Sequence, residues 1–175
     1  MVPLRKAGLV ISIILLTASA GYAQQERKSS TPEQRAQAVK VAKLLETDPF
    51  HKEAKKMREW FTLWLIEVPD ITVELCGSYL GPVAGSDKNY SSEIMVQMMF
   101  SSAAFMIEHP DQGKDRIAVN HAGVEGALKA YESIVAVKPK AKSDFLDGLV
   151  EKRNKGELRA YVEEVTTAKC NNKRA

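Results

Sequence analysis

The chain has 175 residues, 25 Lys and Arg against 22 Asp and Glu, a formal charge of +3, 45% hydrophobic residues and two cysteines. Ten Gly and seven Pro are too few for a collagenous or low-complexity chain, and the hydrophobic fraction is too high for a disordered one. The charge is too small to mark a nucleic-acid binder, and the length suits a single domain with short extra segments.

The first segment carries a targeting pattern. Arg5 and Lys6 form a positive start, Ala7 to Ala20 is uncharged and mostly apolar, and the small residues Ala18, Ala20 and Ala23 close it. That order of charge, apolar core and small-x-small site is that of a secretory signal peptide over residues 1–23. Cleavage is expected after Ala23, with Ala20 as the second choice. The apolar run is shorter than the ~20 residues a spanning helix needs, so no stable membrane anchor is expected after cleavage. Removing 23 of 175 residues leaves 152, and takes Arg5 and Lys6 away, leaving 23 cations against 22 anions. The expected location is therefore exported, either periplasmic or secreted.

Residues 24–30 are polar and read as a flexible leader. Thr31, Pro32 and Gln34 have the spacing of a capped helix start, and helix one runs to about Glu46 with Ala38, Val41, Ala42 and Leu45 on one face. Helix two is expected from about Phe50 to Glu67, with Phe50, Ala54, Met57, Phe61, Trp64 and Val68 as its stripe and Trp60 and Leu65 widening it. A third helix is expected from about Ile71 to Leu80, capped by Asp70, although Ile71, Thr72 and Val73 are β-branched. The stretch 81–90, GPVAGSDKNY, is a loop. Ser91 or Ser92 is expected to cap helix four, which runs to about Glu108 and is apolar nearly all round, as a buried central helix would be.

Helix five is expected from about Lys114 to Val137, with Ile117, Val124, Leu128, Tyr131 and Val135 on its face. It carries a strip of small residues, Ala122, Gly123, Gly126, Ala127 and Ala130. Interior glycines each cost about 1 kcal/mol relative to Ala. Either another helix approaches closely there or the helix breaks near Gly123; close approach is favoured. Helix six spans about Ser143 to Asn154, Gly156 stops it, and helix seven spans about Glu157 to Lys169. Residues 172–175 read as a disordered tail. With no alternating strand pattern, residues 31–171 read as one all-α domain, a compact bundle or short solenoid of six to seven antiparallel-tending helices.

Cys76 and Cys170 are the only cysteines. An even count in an exported chain favours one intramolecular bridge over two separate thiols. Such a bridge would pin the C-terminal helix to the middle of the domain.

Residues 127–139, ALKAYESIVAVKP, resemble the second helix of a tetratricopeptide repeat at Ala127, Tyr131 and Pro139, with Ile134 larger than the usual small residue. Asp115 and Ala118 depart from the first half of that motif. A second echo lies in two helix–turn–helix joints, Leu44 to Pro49 and Met106 to Asp111. The resemblance implies a groove that binds protein or peptide, without catalysis.

The usual motifs of catalysis and cofactor binding do not occur in the sequence. His51, His109 and His121 are scattered without metal-ligand spacing, CxxC and CxxCH are absent, and GPVAGSDK lacks the strand and glycines of a phosphate loop. Met95, Met98, Met99 and Met106 are interleaved with Ile, Val and Phe, as flexible core filling would be. No metal and no cofactor is expected. The leading expectation is an interaction module for a protein or peptide, with no nucleic-acid partner. The alternative is a small exported enzyme or hydrophobic-ligand carrier with a pocket near Trp60, Trp64, Asn120, His121 and Tyr131; a purely structural envelope protein is a third reading.

Overall fold

The computed structural model describes residues 27–170. The expected signal segment, residues 24–26 of the leader and the tail lie outside them. Among the described residues there are six α-helices and no strand: α1 (Pro32–Thr47), α2 (Ala54–Glu67), α3 (Ser91–Glu108), α4 (Arg116–Val137), α5 (Asp144–Asn154) and α6 (Leu158–Lys169). Two short 3-10 segments, Gly77–Val83 and Pro139–Ala141, join them. The fold is all-α, as its periodicity requires.

Local chemistry sets most of the boundaries. Thr31 Oγ1 accepts the Gln34 N–H while the Gln34 side chain accepts the Thr31 N–H, a reciprocal cap that satisfies two orphan donors. Asp115 caps α4 by accepting from the Ile117 and Ala118 amides, and Ser143 caps α5. After α5, Gly156 has φ +75°, a conformation that suits glycine and stops the helix. The expected cap on α3 is not formed. Tyr90, left-handed at φ 61°, precedes the helix, and Ser91 Oγ turns back to donate to the Lys88 carbonyl.

Helix α2 begins four residues later than expected, because the chain turns at Asp48 to His51 before the ladder starts. Phe50 therefore leaves the helical stripe and is 38% exposed, whereas Ala54, Phe61, Trp64 and Val68 are buried. The third expected helix is replaced by a strap over 68–76 without regular secondary structure, followed by the 3-10 turns Gly77–Val83. Three consecutive β-branched residues after Pro69 lose side-chain freedom in a helix and fit extended backbone better. Asp70 caps no helix; it anchors the strap.

Helix α3 is the central element and serves two apolar clusters. Ile94 and Met98 join Tyr79, Leu80, Leu128, Tyr131, Ile134 and residues of α5 and α6. Phe100, Ala103 and Ala104 join α1 and α2, where Phe61 stacks on Phe100 with ring centroids 4.0 Å apart. Helix α4 is continuous, and its glycines face α3. A Cβ on Gly123 would lie 2.8 Å from the Met98 carbonyl oxygen, and one on Gly126 would overlap the Ser101 side chain and lie 2.6 Å from Glu46 Oε1. Close approach, rather than a break, is what the small-residue strip provides.

A polar seam runs where α1, α3 and α4 meet. Gln97 Nε2 donates to the Ala42 carbonyl at 2.9 Å and to Ser101 Oγ at 3.0 Å, and Ser101 Oγ donates to Glu46 Oε1 at 2.7 Å. Ser133 Oγ donates to the Glu46 carbonyl at 2.9 Å, and Lys129 lies 3.5 Å from the Glu46 carboxylate. Each member is partnered, so the seam fixes the register of three helices instead of leaving a reactive group free.

Candidate functional site

The residues expected to form a pocket are not brought together. Trp60 and Trp64 stack with centroids 5.9 Å apart and fill the cluster of α1, α2 and α3. Tyr131 belongs to the other cluster, where its hydroxyl donates to Asp147 Oδ1 at 2.7 Å and accepts the Ser143 N–H at 2.9 Å. Burial raises the Tyr131 pKa, opposed by the Ser143 main-chain bond and reinforced by Asp147, to about 12. Buried Asn120 donates to the Arg116 carbonyl one turn back on its own helix, and His121 is half-buried beside it. Among the described residues no group of three or more His, Cys, Asp or Glu side chains could hold a metal ion.

The feature that stands out is the outer side of α2. Its stripe buries Ala54, Phe61 and Trp64, so the off-stripe residues Leu63 and Ile66 face away from the core and are 59% and 63% exposed. They are three residues apart and share one side of the helix. Beside them lies a groove of about 540 Å³. Thr62, Leu65 and Ile66 form one wall, and the strap supplies the other through Val68, Pro69, Ile71, Thr72 and Val73. Met99 of α3 and Arg27 also line it.

The strap is held at both ends, so the groove exists without a partner. At one end Asp70 accepts from the Ser30 amide at 2.9 Å, from Ser30 Oγ at 2.7 Å and from Arg35 Nη2 at 2.6 Å. Ser30 is thus part of the folded domain and not of a loose leader. Slight burial pushes the Asp70 carboxyl up, but the bonds from Ser30 and Arg35 outweigh it and hold the pKa at about 2. At the other end Cys76 is bridged to Cys170 with Cα atoms 5.9 Å apart. Arg116 adds to that clamp, with Nη2 donating to the Cys170 carbonyl at 2.5 Å and Nε 3.0 Å from Glu74.

A larger cavity, about 760 Å³, opens between the start of α3 and the end of α4. Its walls include Asp87, Glu93, Lys138 and Lys140, charges of both signs, all exposed except the half-buried Glu93, with Val137 61% exposed. It selects neither charge sign and lacks a continuous apolar wall. The groove beside α2 has one.

Sequence reasoning passed over Leu63, Ile66 and the strap. The trace was present in Leu63-Trp64-Leu65-Ile66, four consecutive apolar residues on a helix, which must leave some on the outer side. The bridge is compatible with an oxidising location, and among the described residues no helix is long and apolar enough to cross a membrane. No family model matches this chain, and no curated protein or solved structure was found to match it.

Proposed function

We propose that this chain is an exported interaction module that binds an apolar segment of a protein or peptide in the groove between α2 and the strap. The observation that carries this reading is Ile66, exposed on the wall of a groove whose far wall is clamped at Asp70 and Cys76, with Leu63 exposed beside it on the same side of α2. Large apolar side chains on a rim contribute nothing while hydrated. Each gives about 1.5–3 kcal/mol when fully buried by a partner. A groove already fixed at both ends spares the partner the cost of ordering it. Export rests on the charge, apolar run and small residues of the first 23 positions, with which the bridge is consistent.

The test is substitution on the rim. Leu63→Glu and Ile66→Glu change exposed side chains and are expected to leave the fold intact and the stability within about 0.5 kcal/mol of the parent. Each should weaken partner binding by about 10- to 100-fold, the loss of one buried side chain. A partner bound equally well by both variants would contradict the assignment of this groove.

A further inference from the structure

Asn89, Tyr90 and Ser91 form the sequence Asn-x-Ser with no proline at x, the acceptor pattern for sugar attachment to asparagine in exported chains. The chain has five asparagines. The other four, Asn120, Asn154, Asn171 and Asn172, have Ala122, Gly156, Lys173 and Arg174 two places on, so none of them fits. The fold puts the matching asparagine on the surface. Asn89 is exposed on the turn before α3, at φ 54°, a left-handed conformation that asparagine tolerates better than most residues. Among the described residues its side-chain amide has no hydrogen-bond partner, whereas the Asn120 amide is buried and donates to the Arg116 carbonyl. Asn89 lines the cavity of about 760 Å³ and a neighbouring one of about 180 Å³, and it lines no wall of the groove beside α2. A sugar on this residue would cover the mixed-charge face and leave the apolar groove bare.

We propose that Asn89 carries an N-linked oligosaccharide. The donor is an oligosaccharide held on a polyprenyl diphosphate. The Asn89 Nδ2 attacks the anomeric carbon, and the new C–N bond replaces the C–O bond to the diphosphate. The polyprenyl diphosphate leaves, and one amide proton passes to a carboxylate of the transferase. The transferase also reads the hydroxyl two places on. In the folded chain that hydroxyl is closed off: Ser91 is 3% exposed, and its Oγ donates to the Lys88 carbonyl. Transfer therefore precedes the folding of the first turn of α3 and belongs to the passage of the chain across the membrane. The proposal rests on export, the part of the proposed function drawn from the first 23 residues, and not on the groove.

The experiment is peptide mass spectrometry on the chain purified from its native host. The expected result is a carbohydrate mass on the peptide containing Asn89, placed on that residue by fragmentation. Asn89→Gln and Ser91→Ala should each abolish it, and Ser91→Thr, which keeps the hydroxyl, should retain it. Asn89→Gln changes an exposed side chain, so the comparison stands even where Ser91→Ala fails to accumulate. Asn89→Gln should also leave partner binding at the groove unchanged. A bare Asn89 in chains from which the leader has been removed overturns the inference and leaves export standing. A bare Asn89 in chains that keep residues 1–23 overturns the inference and export together. A sugar retained at the parental level in Ser91→Ala also overturns it, because the Asn-x-Ser pattern would then not be what is read. The groove stands or falls separately, on the Leu63→Glu and Ile66→Glu variants.

Discussion

Two helical glycines should respond to the same substitution with opposite signs. Gly148 sits in α5, and a methyl group added there would meet no heavy atom within 4 Å, so Gly148→Ala keeps the propensity gain, about 0.5–1 kcal/mol of added stability. Gly126 sits in α4 against Ser101 and Glu46, the latter 2.6 Å from where a Cβ would be. The Ser101 Cβ is fixed to the α3 backbone and cannot swing away, so the two helices must part. That strains a packed core by about 1–3 kcal/mol. It also stretches the Gln97–Ser101 and Ser101–Glu46 bonds, each worth about 0.5–1.5 kcal/mol. After the propensity gain of about 1 kcal/mol, Gly126→Ala should destabilise by about 1–5 kcal/mol, the upper end applying only if both bonds are lost. Urea unfolding of the 24–175 chain measures both, with unchanged m-values confirming that midpoints report stability. Ser101→Gly removes the opposing Cβ at the expense of its own two bonds, so the double variant should be less destabilised than the sum of the two single variants. A Gly126→Ala midpoint at or above that of the parent would refute the close approach of α3 and α4.

The remaining predictions concern the clamps and the buried hydroxyl. Cys76→Ser with Cys170→Ser opens a 94-residue separation and should lower stability by up to about 4–5 kcal/mol, read from urea midpoints under non-reducing conditions. Asp70 has its folded pKa lowered from 3.8 to about 2, so its contribution is present above about pH 4 and fades as pH falls toward 2. Discounted for solvent screening at this exposed residue, it is about 1 kcal/mol. Asp70→Asn should remove that part of the slope of stability between pH 4 and 2. Tyr131→Phe leaves the Ser143 amide and one Asp147 oxygen without the phenol and should cost about 1–3 kcal/mol, measured by thermal unfolding near neutral pH.

The helices were legible because their apolar spacing and caps coincide. Ala38, Val41, Ala42 and Leu45 repeat on one side of α1, and the Thr31–Gln34 box marks its start; the structure buries those four and forms that box. The close approach at Gly126 was readable as well, since glycines in a continuous helix need compensation. The strap was misread because the apolar spacing from Ile71 to Leu80 suits a helix on one face, while the cost of three β-branched residues and the pull of two long-range anchors act the other way. Ser30 to Asp70 and Cys76 to Cys170 are contacts across 40 and 94 positions. Local pattern carries no information on the first. The aromatic residues expected to line a pocket instead pack with each other or with α5, as large apolar rings do when nothing polar requires an opening. The groove arises from what the stripe of α2 leaves outside, Leu63 and Ile66, together with a strap whose course local spacing does not encode.

The central claim is that the apolar rim of α2 is the face that meets a partner. A photo-crosslinking amino acid placed at Ile66 on that rim, and separately at Lys140 on the larger mixed-charge cavity, compares the two faces directly in the native host. The prediction is a discrete adduct from position 66 that disappears when Leu63→Glu is added, and no discrete adduct from position 140. A discrete adduct from position 140 with none from position 66 would contradict the central claim.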